Sequence, residues 1–325
     1  MIDPAVSVVV PTRNRAAVCA QTLRSILGQR DVDLEVVVVD EGSTDDTPAM
    51  LAAIGDDRVT VVRHDVARGL PAARNAGLAR ARGPWVAWCD DDDLWAPDKL
   101  ATQLDAADTA DAAWVIGGSV LVDADLHVMG HQAVPPRDEV LDRLLVSNAV
   151  PGGGSGVLAS ADAVRSVGGF DESLASCEDW DLWLRLAQRG APATVDRPLV
   201  AFRTWGGSMS TKVERMRSTR REVLDRVAGL RGERGARDGT FEHERWLAKQ
   251  LLRSGDRVAA AKAYASLARR HRRPALLANA VGAVVAADVL NRVGDGRARS
   301  RVPAGWIDEV EQWLAPYRTA PVPAW

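Results

Sequence analysis

The stretch WCDDDDLWAPDKL at residues 88–100 decides the fold class and locates the site. Its four consecutive aspartates follow an apolar run at residues 85–89 that predicts a buried strand. Adjacent carboxylates repel one another, so they favour a bound cation, and Mg²⁺ and Mn²⁺ prefer oxygen ligands. Ligands of open α/β sheets bind beyond the carboxyl ends of the strands. The stretch therefore predicts a metal site at a strand end; capping of the next helix, the alternative, needs only one aspartate.

The segments around this stretch alternate between strand-like and helix-like patterns. Strands are predicted at residues 7–10, 35–40, 59–62 and 85–89, with helices at 16–27, 43–54 and 71–81 between them. This alternation predicts βαβ units and an α/β fold, with a Rossmann-like, mostly parallel sheet flanked by helices. Further on, the pattern predicts strands at 114–122, 157–159 and 199–202, a polar hairpin at 123–130 and a helix at 178–189.

From residue 212 onward the strand pattern disappears. Helices are predicted near 212–230, 242–253, 256–271 and 275–290, so we expect a first module at 1–211 and an all-helical C-terminal region at 212–325. Residues 246–274 resemble one tetratricopeptide-type hairpin, although an ordinary helical hairpin is the favoured interpretation because such arrays need at least three repeats.

The charge is divided between these two modules. The net charge is −3, but residues 1–211 carry 18 Lys and Arg against 31 Asp and Glu, whereas residues 212–325 carry 23 against 13. The basic region is expected either to meet an anionic surface, such as a membrane, or to form a solvated helical face. Residues 275–287 are uncharged yet shorter than the roughly 20 residues that span a bilayer, which predicts a buried or interfacial helix.

Cysteine usage and the N-terminal pattern concern the compartment. The three cysteines have no CxxC spacing, which argues against a disulfide framework or zinc site and is typical of a reducing cytoplasm. The first residues do not show the basic start and apolar run that are typical of a secretory signal. We therefore expect a cytoplasmic protein, with peripheral contact at the inner face of the membrane and homodimerisation through the C-terminal helices both open.

The loop after the first strand excludes two common nucleotide sites. VVVPTRNR at residues 8–15 lacks the GxGxxG of dinucleotide-binding domains and the GxxxxGK[ST] of P-loops. It also lacks the Gly-rich basic loop expected of a nucleotidyltransferase. A phosphatase with an aspartate nucleophile would place its DxD after the first strand rather than the fourth.

Six motifs in order resemble one family. They are VVVPTRNR (8–15), VVVVDEGSTDDT (36–47), GLPAARNAGLARARG (69–83), WCDDDDLW (88–95), GGFDESL (168–174) and CEDWDLWLRL (177–186). Over about residues 5–205 the chain closely resembles the inverting GT-A glycosyltransferases of family 2. The resemblance implies a GT-A fold that binds a nucleotide-diphosphate sugar.

The resemblance also implies residue roles on the donor side. The loop after the first strand and the acid after the second would hold the nucleobase and ribose, which matches Pro11, Thr12, Arg13 and Asp40. Asp40 can accept a hydrogen bond from a pyrimidine N–H. Arg74, in the Arg-Asn-x-Gly segment, matches a residue near the base and diphosphate.

The implied metal and base positions are carboxylates. Asp92 matches the direct ligand of Mn²⁺ or Mg²⁺, while Asp90 and Asp91 would touch the ribose or reach the ion through water. Asp179 matches the general base that takes the proton of the acceptor hydroxyl. The hydroxyl oxygen attacks from the face opposite the leaving group, and this attack inverts the anomeric centre. The alternative role of Asp179 is that of a helix N-terminal acid. A UDP-sugar is the default donor. The acceptor is open among glycan, lipid-linked, small-molecule and peptide hydroxyls, and nothing predicts a nucleic-acid partner.

Some residues depart from the family pattern. Glu41 replaces a second aspartate after the second strand, and Trp205 stands where many members carry a metal-binding histidine. A weak, substrate-dependent metal site is therefore expected, and a non-catalytic nucleotide-sugar-binding or scaffold protein is the alternative function. Trp95 and Trp205 are candidates for stacking on a sugar. Trp180 and Trp183 are interpreted as core residues. His127 and His131 are interpreted as surface residues.

Overall fold

The computed structural model describes residues 3–204, 213–230, 232–253, 255–286 and 301–319. The predicted module boundary at 211/212 and the expectations for Trp205 lie outside these ranges. No helix in the described ranges combines the length and the apolar character that crossing a bilayer requires.

The first half of the sheet is parallel, as predicted. Strands β1 (Val6–Thr12), β2 (Leu34–Asp40), β3 (Val59–Arg63) and β4 (Trp85–Trp88) lie in the order β3-β2-β1-β4, all pairs parallel. Helices α1 (Ala16–Leu27), α2 (Thr47–Ala52) and α3 (Leu70–Arg80) connect them. Every residue of β1 and β2 is buried, as expected of strands covered on both faces. The carboxyl ends of β1, β2 and β4 therefore meet at one edge of the sheet.

The second half makes the sheet mixed. Its elements are β5 (Leu94–Trp95), α4 (Lys99–Ala110), β6 (Trp114–Val122), β7 (Val128–Gln132), α5 (Val140–Leu144), β8 (Val157–Ser160), α6 (Ala161–Ser166), α7 (Glu178–Ala187) and β9 (Ala193–Arg203). β8 is antiparallel to both β4 and β6, β5 is antiparallel to β9, and β6 is parallel to β9. The polar hairpin predicted at 123–130 is confirmed as the β6–β7 turn.

Two apolar layers cover the sheet. Along β1, Val8 and Val10 pack with α1 on one face, whereas Val9 packs with α3 on the other, as the two-residue period of a strand requires. At Gly77 the helix lies directly on the strand, since a Cβ there would come within 2.2 Å of Val9 Cγ1. This close approach fixes the position of α3, which carries Arg74.

The C-terminal region is helical, as predicted: α8 (Val213–Arg226), α9 (Gly232–Arg253), α10 (Arg257–Arg270), α11 (Leu276–Val285) and α12 (Ala304–Thr319). Helices α9 to α11 share a small core that includes Phe241 and Tyr264. Helix α12, which the sequence analysis did not predict, packs on the sheet layer: Trp313 joins its core, and Glu309 pairs with Arg197 at 2.6 Å.

Candidate active site

The aspartate run lies at the carboxyl edge of the sheet, directly after β4. The end of β1 is beside it, and the Thr12 hydroxyl donates to Asp91 Oδ2 at 2.7 Å. Both residues are buried, and burial raises the pKa of Asp91 to about 7. The structure thus brings together Thr12 and the acids that the sequence grouped with it.

Arg15 contacts the run, and sequence reasoning missed it. Its Nη1 lies 3.1 Å from Asp91 Oδ1 and 2.6 Å from Asp92 Oδ2. Arg13, the residue singled out from the same loop, is exposed. The chain turns between the two arginines at Asn14, whose φ is +54°. The motif contains both arginines, so only the backbone conformation distinguishes them.

Arg74 joins two motifs that are distant in sequence. Its Nη2 lies 2.6 Å from Asp90 Oδ1, and its Nη1 lies 2.7 Å from Glu178 Oε1. The side chain is 2% exposed, and its buried Nε has no hydrogen-bond partner among the described residues. A buried cation between two carboxylates holds the end of β4 against the start of α7.

Asp179 occupies the first turn of α7, beside Arg74 and Glu178. Its Oδ2 accepts a hydrogen bond from Asn148 Nδ2 at 3.0 Å, and its Oδ1 accepts one from Trp180 N at 2.7 Å. Burial raises the pKa of Asp179, while Arg74 opposes the rise. Burial likewise raises the pKa of Glu178 to about 7. A carboxylate with a raised pKa is a stronger base near neutral pH.

A glycine-rich loop, residues 152–156, lies under this cluster. Gly153 has φ +54°, and a Cβ there would lie 3.3 Å from Asp179 Oδ2. At Gly154 a Cβ would lie 3.0 Å from Arg74 Nη2. The loop therefore needs small residues because the acid and the arginine approach its backbone.

Asp93 faces the protein interior rather than solvent. Its side chain is fully buried, accepts from the Ser155 hydroxyl at 2.5 Å and from Arg203 N at 3.0 Å, and burial raises its pKa well above the ordinary value. The Ser155 oxygen also accepts from Asp90 N at 3.0 Å. The four aspartates therefore do not all face one cation, because Asp93 binds the glycine-rich loop through Ser155.

Asp90 and Asp92 are the more exposed members of the run, with 29% and 13% of their side chains accessible. Both offer carboxylate oxygens, the donors that Mg²⁺ and Mn²⁺ prefer, so the residues fit such an ion. They are paired with Arg74 and Arg15 here. Among the described residues, one group of three side chains has its metal-ligand atoms within 4.8 Å of one another. It lies in the β6–β7 turn and consists of Asp123, Asp125 and His127.

The acids after β2 have separate partners. Asp40 is 1% exposed, accepts from Ser43 N at 2.9 Å and pairs with Arg63. Glu41 pairs with His64 and accepts from two backbone N–H groups at the start of α3, of residues 68 and 69. Glu41 therefore fixes the entry to the helix that carries Arg74.

The tryptophan expectations divide. Trp95 is 1% exposed, and Lys99 Nζ lies 4.0 Å from its ring centroid. The prediction that Trp95 stacks on a sugar is therefore wrong, because its side chain lies in the core. Trp180 and Trp183 are fully buried, which agrees with their interpretation as core residues. His127 lies exposed on the hairpin turn.

The model of glycosyl transferase family 2 matches residues 7–161. Residues 7–161 therefore form a glycosyl transferase family 2 domain. The matched range contains β1 to β8 and most of the cluster, with Asp40, Arg74 and the aspartate run.

Two curated relatives illustrate the similarity. Succinoglycan biosynthesis protein ExoO of Rhizobium meliloti is 43% identical over 122 residues, which cover 38% of this chain and 35% of that protein. The UDP-Glc:alpha-D-GlcNAc-diphosphoundecaprenol beta-1,3-glucosyltransferase WfaP of Escherichia coli is 26% identical over 188 residues, covering 58% of this chain and 72% of WfaP. The chain thus spans about a third of the length of the first relative.

Two solved structures share the fold. S. aureus TarS in complex with UDP-GlcNAc superposes with a TM-score of 0.56 at 17% identity, covering 85% of this chain and 88% of the other. The mannosyltransferase PcManGT from Pyrobaculum calidifontis, in complex with GDP-Man and Mn²⁺, gives a TM-score of 0.55 at 21% identity, covering 98% and 86%. The GT-A fold with C-terminal helices is confirmed.

Proposed function

We propose that the protein is an inverting, divalent-metal-dependent glycosyltransferase that moves a sugar from a nucleotide diphosphate, UDP by default, to an acceptor hydroxyl. One observation carries the proposal: Arg74 contacts both Asp90, after β4, and Glu178, the neighbour of Asp179. Inverting transfer needs a site for the leaving diphosphate and a base for the acceptor in one cleft. The arginine holds these two groups of acids together.

The donor nucleoside is expected at the ends of β1 and β2, against Pro11, Thr12, Arg13 and Asp40. Asp40 is the acceptor for a base N–H in this proposal. Its present partner Arg63 is about half exposed, so the guanidinium can move into water while a base N–H replaces it on the buried carboxylate. Exposed Arg13 would then lie over the bound nucleoside.

Asp92 would hold Mn²⁺ or Mg²⁺, and Asp90 and Asp91 would contact the ribose or reach the ion through water. The bound ion would stabilise the negative charge of the departing diphosphate. Arg15 and a cation compete for Asp92, because the ion pair already neutralises that carboxylate. Metal binding is therefore expected to depend on the donor, whose phosphates offer Arg15 another partner.

Asp179 is the proposed base. Its raised pKa keeps it a proton acceptor of useful strength, while Arg74 keeps enough of it ionised. Asn148 donates to its Oδ2, which orients the carboxylate and leaves a second lone pair on that oxygen. The acceptor hydroxyl would donate there as its oxygen attacks the anomeric carbon from the face opposite the diphosphate.

A non-catalytic nucleotide-sugar sensor remains the second candidate, because a bound donor needs no base. Thermal-shift measurements with UDP-, dTDP- and GDP-sugars, with and without Mn²⁺, test donor binding first. Release of labelled sugar to water or to hydroxyl acceptors, followed by the anomeric configuration of the product, tests transfer. Stabilisation by one donor without turnover would favour the sensor; no stabilisation by any donor would refute both.

A further inference from the structure

Helix α11 carries an exposed apolar face. Leu277, Val281, Val284 and Val285 are 48%, 65%, 52% and 76% exposed. Their spacings of four, three and one place them on one side of the helix. Residues 275–287 contain no charged side chain, so no charge interrupts this face.

The buried side of the same helix consists of two alanines, with Leu276 partly buried beside them. Ala280 and Ala283 are buried in the core shared by α9, α10 and α11. A helix of a water-soluble protein normally turns its large apolar residues to the core and its small or polar residues outward. Here four large apolar residues face outward, and a contiguous exposed apolar face of this kind marks a contact surface.

The exposed basic residues that precede this helix in the sequence indicate its partner. Arg269 and Arg272 are exposed where α10 ends and α11 is about to begin. Residues 212–325 as a whole carry 23 basic against 13 acidic residues. A symmetric contact with a second copy would bring like charges together, whereas an anionic lipid surface attracts them. The combination of an apolar helix face with flanking cations favours the lipid surface.

We propose that α11 lies in the interface of an anionic lipid bilayer, with Leu277, Val281, Val284 and Val285 in the acyl boundary and Arg269 and Arg272 at the headgroups. The helix has ten residues, so it lies along the surface rather than across the membrane. This docking surface is independent of the catalytic proposal, because none of these residues belongs to the proposed active site.

Vesicle sedimentation of the full chain tests the proposal. The protein is expected to pellet with vesicles that contain phosphatidylglycerol, and more weakly with pure phosphatidylcholine. Val285→Asp and the double variant V281D/V285D should lower the partition coefficient by about tenfold or more, because each places a charge in the acyl boundary. Val66→Asp is the matched control, since Val66 is 71% exposed on the loop after β3, and should pellet like the parent.

Two further measurements separate the alternatives. R269E/R272E should lose the preference for phosphatidylglycerol, and its vesicle binding should depend less on salt. This variant tests the role of the two arginines while the apolar face is unchanged. Light scattering reports the oligomeric state of every variant, and circular dichroism its folding. Failure of the parent to pellet, equal pelleting of V281D/V285D, or a dimer that only V281D/V285D dissociates would overturn the proposal.

Discussion

Arg74 Nη1 lies 2.7 Å from Glu178 Oε1, and this contact joins α3 to α7 across 104 positions of sequence. Both side chains are buried, so the pair is held in a region of low dielectric. The second nitrogen of the same guanidinium reaches Asp90 at 2.6 Å. One buried arginine thus holds acids from two distant segments together.

Asp179→Asn should leave donor binding intact and lower turnover by about 10²–10⁴-fold, because the amide cannot take the acceptor's proton. Single-turnover transfer and donor affinity, measured separately, check both parts. Asp162→Asn is the control, since Asp162 is an exposed acid in the first turn of α6. Transfer by Asp179→Asn at the parental rate would show that another group is the base.

Asp92→Ala should abolish the stimulation of donor binding by Mn²⁺, because it removes the proposed direct ligand. Calorimetric titration of the donor with Mn²⁺ and after chelation measures the difference. Asp108→Ala, on the exposed side of α4, should behave like the parent. If Asp92→Ala still responds fully to Mn²⁺, the ion is bound elsewhere, and the β6–β7 turn becomes the next position to vary.

Asn148→Ala should move the acid limb of the pH–kcat profile to higher pH. The base works when ionised, so turnover is present above its pKa and is lost as the pH falls through it. Asn148 donates to the carboxylate and lowers its pKa; without it, the remaining effects of burial, Asp90 and Arg74 leave the pKa higher. A shift of about one pH unit is expected from one hydrogen bond to a charged group.

The control for this shift is Asn279→Ala on α11, which should leave the limb in place. An unchanged limb in Asn148→Ala, with normal folding, would mean that the titrating group is not Asp179. A change of KM alone would instead place Asn148 in acceptor binding.

Ser155→Ala should weaken metal-dependent donor binding and stability together. It removes the hydroxyl that donates to buried Asp93 and accepts from Asp90 N, which ties the aspartate run to the glycine loop. A buried acceptor left without its donor costs about 1–3 kcal/mol of unfolding free energy. Urea unfolding and the Mn²⁺ concentration for half-maximal turnover measure the two effects.

Ser7 offers a matched control. Its buried hydroxyl donates to Glu35 at 2.6 Å and accepts from Gly83 N at 2.9 Å, the same pattern near the opposite ends of the strands. Ser7→Ala should lose comparable stability but keep the parental Mn²⁺ requirement. If both variants change that requirement equally, the effect of Ser155 is stability alone.

Gly154→Ala should raise the KM for the donor, because its Cβ would come 3.0 Å from Arg74 Nη2 and push the guanidinium from Asp90. A rise of about tenfold is expected if a single charged contact is weakened. Gly55→Ala has open space around its Cβ and serves as control. Parental kinetics in Gly154→Ala would show that the position of Arg74 does not govern donor binding.

The sequence by itself determined the α/β order of the first half and the positions of its acids. An apolar run such as that of β2 predicts a strand that is buried on both faces of a sheet. The residues that follow parallel strands meet at one edge of the sheet, where ligands bind. The helical C-terminal region and the core tryptophans Trp180 and Trp183 could also be predicted, because the hydrophobic period of a helix is a local property of sequence.

Only the tertiary structure decided which neighbours in a motif face outward and which face the interior. Asp92 points outward and Asp93 inward because Ser155 and Arg203, from distant segments, supply the donors that satisfy the buried acid. Arg15 rather than Arg13 meets the aspartates because the backbone turns at Asn14. Side-chain direction depends on such long-range partners and on single backbone dihedrals, and neither leaves a periodic signal in sequence.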